Sequence, residues 1–152
     1  MIAARFTLAA AALCAGITAA VAKDIPPGDV KIVDGKLAQP ITDAPANPAD
    51  GRKFFADRRL GNCLACHANS EMSEQLFHGD VGPSLDGVGE RWSPEELRAI
   101  VVNSKAVFGE QTVMPGFYSL NVGKNVAEKF QGKTILTAEQ VESIVAYLAT
   151  LK

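Results

Sequence analysis

The sequence predicts an all-α domain, and three observations predict it. Two capping boxes, Ser93-Pro94-Glu95-Glu96 and Thr137-Ala138-Glu139-Gln140, each open a run whose apolar residues recur at three and four. Nowhere does the 152-residue chain sustain the period-2 alternation of a half-buried strand. Between the helical patterns lie glycine- and proline-rich stretches that call for irregular loops. A hydrophobic share of 47% against 21% charged residues suits one small core. The net charge of −2 points away from nucleic acid and anionic membranes as partners, and no internal repeat is present.

Met1 to Phe6 carries Arg5 and no acid, and Thr7 to Val21 is uncharged and rich in Ala and Leu. Ala20-Val21-Ala22 then supplies an A-x-A cleavage site before Lys23. This is the order of a secretory signal peptide, and the apolar run is too short and Ala-rich for a membrane span. Residues 1–22 are expected to be cleaved and the mature protein, starting at Lys23, to be exported to the periplasm. Residues 23–47 are rich in Pro, Asp and Ala with little amphipathicity. They are expected to form an N-terminal arm draped over the surface, with contact to a partner subunit as the alternative.

The first helix opens at Asn47-Pro48-Ala49-Asp50, with a cap residue and Pro at its first position. It is expected to run to about Arg59, carrying Phe54 and Phe55, with Gly51 permitting close approach of another backbone. In the middle helix Leu97, Ile100 and Val101 share one face. In the last, Val141, Ile144, Val145, Leu148 and Leu151 recur at three and four with Tyr147 beside them.

Removal of the leader takes Cys14 with it and leaves Cys63 and Cys66. Cys63-Leu64-Ala65-Cys66-His67 reads C-x-x-C-H, the attachment sequence of c-type haem. Its chemistry needs this order: two thiols add across the vinyl groups on one porphyrin edge, and two intervening residues let one turn span that edge. His67, next after the second thioether, then reaches the iron from the proximal side. A thioredoxin-like dithiol would need a βαβ pattern that neither flank shows. A structural zinc site could draw only on Cys63, Cys66, His67 and His78, and adjacency of Cys66 and His67 strains a tetrahedral set. One covalently attached haem c is therefore expected.

Met72, Met114 and His78 are the candidates for the second axial position. Met72 lies too near His67 in sequence to wrap easily to the opposite face, and His78 would need its loop folded over the ring edge. Met114 is followed at once by Pro115, which lacks an N–H and stiffens a loop. A sulfur held on such a loop suits a distal ligand, so Met114 is the expected one, with core packing as its alternative use.

Cys63 to His67, Gly82-Pro83, Arg91 and Met114-Pro115, in this order, resemble class I c-type cytochromes. The resemblance implies that family's fold: N- and C-terminal helices crossing, and haem wrapped by irregular loops, here over residues 48–152. It further implies that the Pro83 carbonyl accepts a hydrogen bond from His67, and that Gly51 and Phe55 face Ile144 and Tyr147. Gly79-Asp80-Val81-Gly82-Pro83-Ser84-Leu85, Met114-Pro115-Gly116-Phe117-Tyr118 and the final capping box are similar to the SoxX family, the small monohaem subunits of SoxAX complexes of bacterial sulfur oxidation. That likeness implies a SoxA-type cytochrome as partner in a heterodimer and a soluble cytochrome as the downstream acceptor. The SoxA-type subunit would join thiosulfate oxidatively to a carrier-protein cysteine, as an L-cysteine S-thiosulfotransferase. The present chain would take the released electrons, and no catalytic residue is expected on it. An independent, diffusible periplasmic carrier is the alternative.

Overall fold

A computed structural model describes residues 22–152, so the leader read in residues 1–22 lies outside the described residues except for Ala22. Helix α1 (Pro48–Ala56) starts at Asn47, whose side-chain oxygen accepts from the amides of Ala49 and Asp50 at 2.9 and 3.4 Å. It ends at Ala56 rather than near Arg59. The Asp57 carboxylate accepts from the Arg59 amide at 2.8 Å and pairs with its guanidinium, a local turn that competes with further helix. That pairing holds the Asp57 carboxyl down at about 2, chiefly through the Arg59 side chain. Helix α2 (Val88–Arg91) is a single turn, and α3 (Pro94–Phe108) and α4 (Ala138–Leu148) both start in complete capping boxes. Among the described residues no strand forms, only two isolated bridges.

Helices α1 and α4 cross at closest range. A Cβ on Gly51 would sit 1.9 Å from the Ser143 carbonyl oxygen, so the crossing requires glycine. One turn on, Phe55 meets Tyr147 edge to face, with centroids 5.6 Å apart and planes at 66°. Val141, Ile144, Val145 and Leu148 of α4 are buried, and Leu97 and Val101 of α3 join them. Ile100, expected on the same face, is half-buried. Gly51→Ala should force the helices apart and cost about 1–3 kcal/mol, the usual penalty of overpacking. Gly28→Ala, where an added Cβ meets nothing within 4 Å, should stay within about 0.5 kcal/mol of the parent. Thermal unfolding of the two variants checks this, and equal effects would show that the crossing tolerates a methyl group.

Residues 23–47 are more firmly joined to the body than a draped arm. The segment doubles back on itself, with Ile25 N–H donating to Ile41 O at 2.7 Å. Its tip is a tight turn in which Val33 and Lys36 exchange hydrogen bonds at 2.9 Å across Asp34 and Gly35, both at positive φ. Leu37 and Ile41 are buried in the main core. A buried ion pair anchors the segment. Arg98 Nε of α3 lies 2.9 Å from Glu142 Oε1 of α4, Arg98 Nη1 donates to Leu37 O at 2.9 Å, and Glu142 Oε1 accepts from Ile41 N–H at 2.9 Å. The segment is thus a strap closing over the α3–α4 seam. Among the described residues no helix is long and apolar enough to cross a membrane.

Candidate functional site

The C-x-x-C-H residues form one 3-10 turn, Cys63–Ala65, entered through Asn62 in the left-handed region at φ 47°. Both Cys66 N–H and His67 N–H bond back to Cys63 O, at 3.1 and 3.0 Å. Leu64 points inward and is buried, and Cys63 and Cys66 are half-buried. Desolvation pushes the Cys63 thiol up to about 12, so its surroundings favour neutral sulfur over thiolate.

The glycine-rich stretch after the motif is stitched along it. Gly79 N–H bonds to Leu64 O at 2.8 Å, Gly82 N–H to Cys66 O at 2.7 Å and Leu85 N–H to Ala68 O at 2.9 Å. At the end of this row Asp86 accepts from the Ser70 amide and hydroxyl, which hold its carboxyl below the usual carboxylate range. Arg91 reaches back from α2 to the carbonyls of Ser84 and Asp86, bracing the loop from the other side. Glycine is required where the loop meets the imidazole: a Cβ on Gly82 would lie 2.3 Å from His67 Cε1.

This register brings Pro83 O to 2.7 Å from His67 Nδ1. A carbonyl oxygen only accepts, so Nδ1 carries the proton and Nε2 presents its lone pair. His78 is different, because both of its nitrogens are engaged: Nδ1 accepts from Asn69 N–H at 3.3 Å and Nε2 donates to Met72 O at 3.1 Å. Met72 is wholly buried in the main core. Met114 is half-buried at the core's edge. Its loop folds back towards the motif, since the space beside Gly61 is bounded by Cys63 Sγ and the Phe117 ring.

Two features here were not read from the sequence. Asn69 Nδ2 donates to Tyr147 OH at 2.8 Å, Tyr147 bonds to Glu71, and Arg52 pairs with Glu71 at 2.9 Å and Glu74 at 2.7 Å. Burial, with the Glu71 bond second, raises the Tyr147 phenol above its ordinary value. The network ties the segment after the motif to α1 and α4 at once. The second feature is a break inside α3 at Asn103, with φ −154° and ψ 85°. Its readable signal was Asn103-Ser104, a cap-type pair in mid-helix.

The sequence matches the cytochrome c family over residues 48–152, and the chain belongs to that family. The order of helices, motif and loops makes it a class I c-type cytochrome. More particularly, it resembles SoxX. It is 39% identical to a chain in the crystal structure of SoxXA from P. pantotrophus, over 85% of this chain and 98% of that one, with a TM-score of 0.77. No curated protein matches it. Family membership implies covalently bound haem c and electron transfer as the activity.

The residues present fit such a group. Two thiols separated by two residues stand on one turn, and the adjacent imidazole has one nitrogen committed to Pro83 and the other available. They do not make a zinc site: among the described residues no group of three or more His, Cys, Asp or Glu could hold a metal ion.

Proposed function

We propose that the chain is the exported, monohaem electron-accepting subunit of a SoxAX-type complex in thiosulfate oxidation. Residues 1–22 are the cleaved periplasmic signal peptide, 23–47 the N-terminal strap and 48–152 the cytochrome c domain. The similarity to SoxXA along nearly the whole of that chain carries the reading. Cys63 and Cys66 would hold one haem c through thioethers, with His67 and Met114 as the axial ligands. Met114 as the distal ligand is supported by the burial of Met72 in the core and by the hydrogen bonds at both nitrogens of His78.

Haem c, when bound, supplies a one-electron Fe(III)/Fe(II) couple. The chain's own residues prepare the site for it. Pro83 O holds the His67 proton on Nδ1 and sets the ring's orientation and basicity. As an iron ligand, Met114 would favour the reduced state through its soft thioether, and apolar packing around the group would disfavour the additional positive charge of the oxidised state. The stitched loop from Gly79 to Asp86 would hold the imidazole in one place. A protein built this way accepts electrons from a SoxA-type partner, where thiosulfate is joined to a carrier-protein cysteine, and passes them to a soluble cytochrome. It needs no substrate pocket of its own.

Size-exclusion chromatography of the native periplasmic protein, with haem staining and mass spectrometry, tests the assignment. A stoichiometric second subunit that also bears c-type haem is expected, with the present chain beginning at Lys23. A lone species of this chain's size at low ionic strength would replace the complex with a diffusible carrier. An unprocessed N-terminus would overturn the export assignment.

A further inference from the structure

The loop before Phe117 is held in an unusual way. Helix α3 breaks at Asn103, so its turn is not completed across that residue. The carbonyls of Val101 and Val102 thereby become free to accept from Phe117 N–H and Tyr118 N–H, both at 3.1 Å. Asn103 then caps the second part of the helix, its side-chain oxygen accepting from Ala106 N–H at 3.4 Å. The two residues that restart the helix, Ser104 and Lys105, turn their side chains to the loop. Ser104 is wholly buried and its hydroxyl donates to Met114 O at 2.6 Å. Lys105 Nζ donates to Thr112 O and to Glu110 O. No backbone N–H among the described residues bonds to any of these three carbonyls. Pro115, which has no N–H, cannot contribute a bond of its own. Between Thr112 N–H, which bonds to Gly109 O at 3.1 Å, and Phe117 N–H, the chain through Met114 is therefore held by these two side chains and by no backbone hydrogen bond.

We propose that Ser104 and Lys105 are positioning residues for Met114: by gripping the 110–115 loop through its carbonyls, they determine how readily the Met114 thioether yields its place to an outside ligand. This rests on the reading of Met114 as the distal ligand. The physical argument is one of preorganisation. A thioether that is already held where it is needed costs little ordering entropy on binding, and a loosened loop must be ordered anew each time.

The test uses the full haem-loaded protein in its ferric state and titrates it with imidazole, following the Met-to-iron charge-transfer band. Ser104→Ala is expected to tighten imidazole binding about tenfold, the effect of one lost buried hydrogen bond. Lys105→Met, at a partly exposed position, should tighten it about two- to threefold. Ser143→Ala serves as the control, since Ser143 is equally buried but bonds to Asn47 N–H at the far helix crossing. It should lower thermal stability and leave the imidazole affinity unchanged. An affinity for Ser104→Ala that matches the parent would overturn the proposal while Met114→Ala still abolishes the band. If Met114→Ala keeps the band, the axial reading itself fails and takes this one with it. Should Ser104→Ala not mature, parent-like behaviour of Lys105→Met overturns the proposal.

Discussion

Met114→Ala is expected to convert the ferric protein from low-spin to high-spin or water-ligated haem and to lower its reduction potential. Alanine cannot reach the iron, and water takes the vacated position. Loss of the soft sulfur removes the preference for Fe(II), so a fall on the order of 0.1 V is expected, a fraction of the roughly 0.8 V that axial ligands span. Optical and paramagnetic resonance spectra with a redox titration measure both effects. Met72→Ala separates ligation from packing. Met72 is fully buried, so its truncation should cost about 2–5 kcal/mol of stability and leave the spectrum alone. His78→Ala should likewise keep the spectrum, because neither ring nitrogen is free in the parent. If Met72→Ala turned high-spin and Met114→Ala did not, the distal ligand would have been assigned to the wrong methionine.

Glu142→Ala is expected to destabilise the protein by about 3–5 kcal/mol, the cost of leaving the buried Arg98 guanidinium without its partner. Two losses coincide in this variant. The uncompensated charge stays inside, and Ile41 N–H loses the carboxylate that ties the strap to α4. Arg98→Met leaves the buried Glu142 carboxylate uncompensated in its turn and loses the bond to Leu37 O, but Glu142 keeps the Ile41 bond, so the stability cost should be of the same order with the strap still tied to α4. In the double variant Arg98→Met/Glu142→Leu no charge remains buried, so the combined loss should fall well short of the sum of the single ones. Urea unfolding gives the energies, and limited proteolysis within residues 23–47 shows whether the strap has been released. Additive losses with an intact strap would mean that the pair acts merely as two separate side chains.

The parts of the fold legible in the sequence were those written in short-range chemistry. Ser93 and Thr137 cap their helices as their capping boxes require, and Asn47-Pro48 opens α1 at the expected residue. The apolar spacing of α4 matches its buried face, and the crossing falls at Gly51, the residue expected to permit close approach of another backbone. Each of these depends on partners no more than four residues away, or on a single side chain whose absence is itself the signal. The end of α1 was misplaced by a few residues because the Asp57–Arg59 bond competes with helix locally, and propensity alone does not weigh that competition. The turn at Asp34-Gly35 was not read from the sequence, although Asp-Gly is a pair that tolerates the positive φ both residues adopt.

What the sequence by itself determined is the attachment motif, a C-x-x-C-H turn, and the capped helices that frame it. Motif and cap are local, so their order along the chain carries their meaning. What only the tertiary structure decided is which polar groups meet across long separations. Arg98 finds Glu142 across 44 residues, Ile41 finds the same carboxylate across 101, and Tyr147 finds Asn69 across 78. The break in α3 belongs with these, because the loop through Met114 supplies the donors that Val101 and Val102 lose from their own helix. A buried polar group must be satisfied by whatever the packed chain brings to it, and that choice is made only once the core has closed.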